Sequence, residues 1–158
     1  MTDTATRPNR IPWPPMIYVA AILASVALAF IQPLPWVGSP LSDILFAAGW
    51  VIVVGSLAMD LSAMRTLARH KTTIMPHRSA EHLVSEGPYA FTRNPIYLGN
   101  TMLMIGVGLI SGIAWFLLLA FVAAFATQKL AIEREERHLD LRFGKRYRDY
   151  RKKVRRWI

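Results

Sequence analysis

Four apolar runs, at residues 16–31, 44–64, 96–110 and 113–130, leave this 158-residue chain few folds to choose from. A bilayer core takes about 20 consecutive apolar residues as a helix, and the second run has that length. The first is shorter, but residues 11–15, IPWPP, extend it with prolines and an interfacial Trp13. The last two runs are separated only by Ser111-Gly112, so they predict a tight antiparallel helical hairpin. The expected fold class is all-α. It is an integral membrane helical bundle of four transmembrane helices with a cytoplasmic C-terminal amphipathic helix, in a single domain spanning 1–158.

Net charge is +9, and in a soluble chain that would suggest nucleic acid. Here the basic residues flank the apolar runs instead, where anionic lipid head groups are the natural partner and nucleic acid is not expected. Residues 32–43 and the Ser111-Gly112 turn carry no Lys or Arg. Two lie before the first run, five in residues 65–93 and twelve in residues 129–158, which accounts for all nineteen. A four-span topology puts every one of them on one side, so both termini and the central loop are expected to be cytoplasmic. A five-span topology would split them.

The central loop ends in an unusual stretch, residues 87–99, GPYAFTRNPIYLG. Gly and Pro this dense exclude a plain helix interior, and Arg93 beside a span is costly without a partner. His70, His77 and His82 are irregularly spaced and lack a second ligand type, and cysteine is absent, so no metal site is expected. Asp60 is the one charge in the second run. It is either an interfacial acid near the basic loop or a polar group facing a site within the bundle.

Residues 129–158 hold twelve basic and five acidic residues, a net +7. Leu139, Phe143, Tyr147, Tyr150 and Val154 form a helical apolar stripe that Gly144 is placed to bend or break. At about 100° per residue, Glu135 and Glu136 fall roughly 40° and 60° to either side of Leu139 and so flank the stripe. Glu133 falls on the far face, where Arg137 lies four residues on as a partner. Two inward carboxylates need cations or donors, and Arg93 is the obvious internal candidate; a cationic ligand is another.

Gly87-Pro88-Tyr89, the block Arg93-Asn94-Pro95-Ile96-Tyr97-Leu98-Gly99 and the Glu135-Glu136 pair, followed by Leu139, Phe143-Gly144, Tyr147, Tyr150 and Val154, resemble the isoprenylcysteine carboxyl methyltransferase and phospholipid methyltransferase superfamily. The likeness covers about residues 80–158. It implies a membrane methyltransferase using S-adenosylmethionine, with residues 65–95 and 131–158 forming the cytoplasmic cofactor-binding parts. By motif match, His82, Leu83, Val84, Tyr89, Asn94, Pro95, Ile96, Tyr97 and Glu135 are implied to line the cofactor pocket. The candidate catalytic set is Arg93, Asn94 and Glu136, with Glu136 expected to pair with an Arg and Arg93 to orient its surroundings rather than abstract a proton.

Two residues depart from the pattern. The signature His is Asn94, which cannot exchange a proton near neutral pH. Ala131 stands where the eukaryotic carboxyl methyltransferases have an Arg implicated in the substrate site. Gly106-Val107-Gly108 is similar to a glycine motif of the phospholipid enzymes, and equally suits close helix packing. The expected reaction is methyl transfer to a lipophilic acceptor at the cytoplasmic membrane face. With no convincing base in the sequence, an isoprenoid-linked carboxylate or thiol is favoured. The alternatives are phospholipid amine N-methylation, or a non-catalytic protein binding anionic lipid through its basic C-terminal helix.

Overall fold

The structure, a computed structural model, describes residues 13–70 and 83–158, and these are helical with no strand among them. Helix α1 spans Trp13–Ile31, α2 Leu41–Arg69, α3 Pro95–Ser111 and α4 Ala114–Thr127. A π-helical turn, Gln128–Ile132, leads without a break into α5, Glu133–Phe143, and α6 follows at Lys145–Lys153. Prolines stand in the first turns of α1 and α3, where the missing N–H costs nothing. Gly112 closes α3 in the left-handed region at φ 69°, which lets the chain reverse at once into α4.

Three helices are long and apolar enough to cross a membrane: Trp13–Ile31, Leu41–Arg69 and the continuous Ala114–Phe143; α3 is shorter, at 17 residues. The distribution of side-chain size agrees with a lipid solvent. Small residues fill the contacts between helices: Ser25, Gly49, Ser56, Ala63, Gly106, Gly108, Ala120 and Ala123 are buried. Large ones point outward, among them Leu23, Phe30, Val51, Val54, Phe121 and Phe125. In water such a surface would drive association. In a bilayer lipid tails solvate it, and close approach of small residues holds the helices together.

Helix α2 runs along α3, α3 against α4, and α4 against α1. The backbones of α2 and α3 approach closely at Gly49 and Gly106. A Cβ on either would come within 2.9–3.0 Å of the other's carbonyl oxygen. Gly108 faces the other way, against Phe116 and Leu117 of the hairpin partner. Helix packing is thus what both glycines serve. Tyr18, Met104, Phe116, Ala120 and Ala123 form the buried cluster where α1, α3 and α4 meet.

Several boundaries differ from the sequence reading, while the break at Gly144 follows it. The second helix begins at Leu41 and continues to Arg69, so residues 65–69 are helix rather than loop. At about 1.5 Å per residue its 29 residues exceed a roughly 30 Å hydrocarbon core, which lets its basic end project into the aqueous layer. The C-terminal helix is two helices, because Gly144, at φ 52°, turns the chain between α5 and α6. The π turn adds a residue to the helical phase just before Glu133. Glu133 reaches back to Lys129, at 2.8 Å, rather than forward to Arg137.

Candidate functional site

Residues 87–94 form one wall at the mouth of α2 and α3. Gly87 starts a single 3-10 turn, Gly87–Ala90, in a left-handed conformation at φ 58°. A Cβ there would also press on Thr66 Oγ1 at 2.9 Å, so glycine is required twice over. After Phe91 the chain is extended and meets the C-terminal tail. Thr92 bridges in parallel to Arg155, and the Arg93 amide donates to the Arg155 carbonyl at 2.9 Å. Thr92 Oγ1 and Asn94 Nδ2 both donate to the Arg156 carbonyl, at 3.1 and 2.9 Å. Tyr150 closes the other end, its hydroxyl donating to the Tyr89 carbonyl at 2.6 Å.

Asn94 is buried, and its side-chain amide is committed to that carbonyl. What the geometry uses at this position is an N–H donor. Both His and Asn provide one, which accounts physically for the departure from the signature.

Glu136 is the hub of the charged layer. Arg156 holds it with two hydrogen bonds, Nε to Oε1 at 3.0 Å and Nη2 to Oε2 at 2.7 Å. Arg93 Nη2 donates to Oε1 at 2.9 Å. The Arg93 and Glu136 side chains are only 9% and 11% exposed, so this is a nearly sealed pair. The hydrogen bonds to Glu136, above all, hold Arg156 above its usual basicity. Arg156 was absent from the sequence reading, since nothing local marks one of twelve basic residues as the partner of a carboxylate 20 positions earlier.

Glu135, next to it, has a different environment. Its Oε1 accepts from the Tyr97 hydroxyl at 2.7 Å, and no cationic side chain pairs with it among the described residues. Tyr97 is in turn fixed by α1: the Tyr18 hydroxyl donates to the Tyr97 carbonyl at 3.1 Å and shares a 2.6 Å hydrogen bond with Thr101. Tyr89 faces the same space. Burial, then the neighbouring Tyr150, then the charges of Glu135 and Asp60 all raise its phenol well above the usual range, so it stays a neutral donor.

Among the residues matched by motif, the structure brings Tyr89, Asn94, Pro95, Ile96, Tyr97 and Glu135 to this one corner, with Pro95 fully buried. Leu83 is half-buried and Val84 buried at the start of the second described segment. His82 lies outside the described residues, as does His77, while His70 ends α2, 3.5 Å from Glu86. Beside the wall runs an apolar groove of about 560 Å3, lined by Met59, Pro88, Phe91, Leu98, Trp157 and Ile158 among others. The corner therefore combines an uncompensated carboxylate, phenols and an apolar trough. That set suits an organic cation carrying an aromatic group, with a greasy second molecule beside it.

A sequence model described as phospholipid methyltransferase matches residues 44–146, about two thirds of the chain. The match takes in α2, the wall, the hairpin and the paired glutamates. Comparison with curated proteins gives no match.

Proposed function

Since the chain belongs to the phospholipid methyltransferase family, we propose that it transfers a methyl group from S-adenosylmethionine to a membrane lipid at the cytoplasmic face. The observation that carries the reading is Glu135: a carboxylate held by one phenol, beside the buried wall, with no cationic side chain paired to it among the described residues. Isolated buried carboxylates are costly, so this one calls for a cationic ligand. S-adenosylmethionine supplies an ammonium group, a sulfonium and its electrophilic methyl.

In this reading Glu135 receives the cofactor's amino group or ribose hydroxyls. Tyr89, the Asn94–Tyr97 block and residues 82–84 surround the rest. Arg93, Asn94 and Glu136 form the frame of the reaction centre and take up no proton. Arg93 and Glu136 neutralise each other, and Asn94 ties the tail across the wall. Such a frame promotes reaction by alignment and exclusion of water. The acceptor's hydrocarbon chain occupies the groove beside Phe91 and Leu98.

The same reading makes α3 the fourth span, places both termini on the cytoplasmic side with the basic residues, and treats 1–158 as one domain. Family membership adds weight to a phospholipid amine as acceptor over an isoprenoid-linked carboxylate or thiol. A non-catalytic lipid-binding role would explain the basic α6 but leaves Glu135 without a purpose.

Calorimetry with S-adenosylhomocysteine on the detergent-purified protein tests the reading. Wild type binds, and Glu135→Gln binds roughly 10–100-fold more weakly, as expected for losing a hydrogen bond to a charged group. No binding by wild type, or equal binding by the variant, refutes it. Transfer of labelled methyl to extracted membranes then classifies the product, since an ester is base-labile and an amine is not.

A further inference from the structure

Asp60 is the charged residue for which neither the frame nor the Glu135 corner has a use. It lies on α2 two turns before the helix ends, and its carboxylate rests on the backbone of α3 at Gly99. Any side chain at Gly99 would overlap that carboxylate, so the glycine that ends the motif at residues 87–99 is the socket for an acid on another helix. Oδ1 is sealed from solvent and has no hydrogen-bond partner among the described residues. Its charge, like that of Glu135, acts on the Tyr89 phenol. Met59 and Leu98, the chain neighbours of Asp60 and Gly99, line the apolar groove. Arg93 and Arg156 both pair with Glu136, and no cationic side chain pairs with Asp60 among the described residues.

We infer that Asp60 is a further catalytic residue, which binds the ammonium group of a lipid acceptor between α2 and α3, beside Gly99, and accepts its proton. The inference rests on the methyltransferase reading above, with a phospholipid amine as the acceptor. An ammonium nitrogen has no lone pair and cannot attack a methyl group. Transfer of its proton to Asp60 breaks one N–H bond, leaves the electron pair on nitrogen and forms an O–H bond on the carboxylate. The step balances with no further reactant. It also supplies the base that the sequence alone did not reveal.

The test uses the purified full chain in detergent, with S-adenosylhomocysteine and lysophosphatidylethanolamine as probes. Asp60→Asn keeps the side chain's volume and removes its charge; Gly99→Ala keeps the charge and displaces it. Both variants are expected to bind S-adenosylhomocysteine within about 3-fold of wild type, because Glu135 is untouched. Both bind the lipid amine more weakly, and methyl transfer to it falls by about 100-fold or more, as for loss of a general base. Thermal unfolding confirms that each is folded; if Asp60→Asn is not, Gly99→Ala carries the comparison. Lipid-amine methylation by a folded variant close to the wild-type rate overturns the inference, as does a wild type that methylates only carboxylates or thiols. A wild type that does not bind S-adenosylhomocysteine fails the underlying reading instead, and the inference goes with it.

Discussion

Glu136→Gln removes one charge from a layer in which two arginines share a single carboxylate. Oε1 accepts from both Arg93 and Arg156 and Oε2 from Arg156 alone, so three hydrogen bonds lose their charge assistance together. The two arginines contribute unequally. Arg93 is 9% exposed and cannot turn to water, whereas the Arg156 side chain is 31% exposed and can be partly solvated. Removing one partner from a sealed ion pair costs about 3–5 kcal/mol; a pair near the surface adds at most about 1 kcal/mol. Because the Gln oxygen still accepts one hydrogen bond, the lower end applies, about 3 kcal/mol. For a chain of this length that is a fall of roughly 6–12 °C in Tm. The assay is thermal unfolding in detergent, followed by tryptophan fluorescence. The double variant Arg93→Met, Glu136→Leu deprives only the more exposed Arg156 of its main partner, leaving it Glu133 at 3.9 Å, and should recover more than half of the loss. A shift below about 2 °C for Glu136→Gln, or a double variant less stable than the single, would refute the assignment of Glu136 to holding the wall.

Two further outcomes follow from the packing. Gly106→Val places a branched side chain where a Cβ already meets Val53 Cγ2 at 2.7 Å and the Gly49 carbonyl at 3.0 Å; overpacking of this kind costs about 1–3 kcal/mol, read as a lower Tm in detergent without change in S-adenosylhomocysteine affinity per folded molecule. Asn94→Asp puts an acceptor opposite the Arg156 carbonyl and costs about 1–3 kcal/mol, whereas Asn94→His retains a donor and should be the milder change; limited proteolysis of the tail at Arg155 and Arg156 ranks the two, and equal cleavage rates would contradict the donor role.

How much of this was legible in the sequence depended on the range of the interaction. The apolar runs gave the helices because span length is a local property, and Ser111-Gly112 gave the hairpin for the same reason. The inward placement of Glu135 and Glu136 was legible from helical phase alone. The partner of Glu133 was not, because Lys129 and Arg137 stand four residues away on either side of it and the sequence does not choose between them. Arg156 was hidden among similar basic residues, and the carbonyl that Asn94 caps has no sequence signature at all. Asp60 was visible as a lone charge in a span, with two meanings left open. Only the α2–α3 crossing pairs it with Gly99, 39 positions later in the chain.

The latch between the wall and the tail has a consequence for the order in which the molecule is made. Asn94 and the carbonyl it holds are 62 positions apart. At about 5–20 residues per second, the wall waits several seconds after synthesis for the tail that closes it. During that interval the hairpin can insert and pack, but Arg93 has neither Glu136 nor the Arg155 carbonyl to meet it. In the nascent corner Arg93 therefore stands unpaired until Glu136 and the tail arrive. The membrane part matures before the site does.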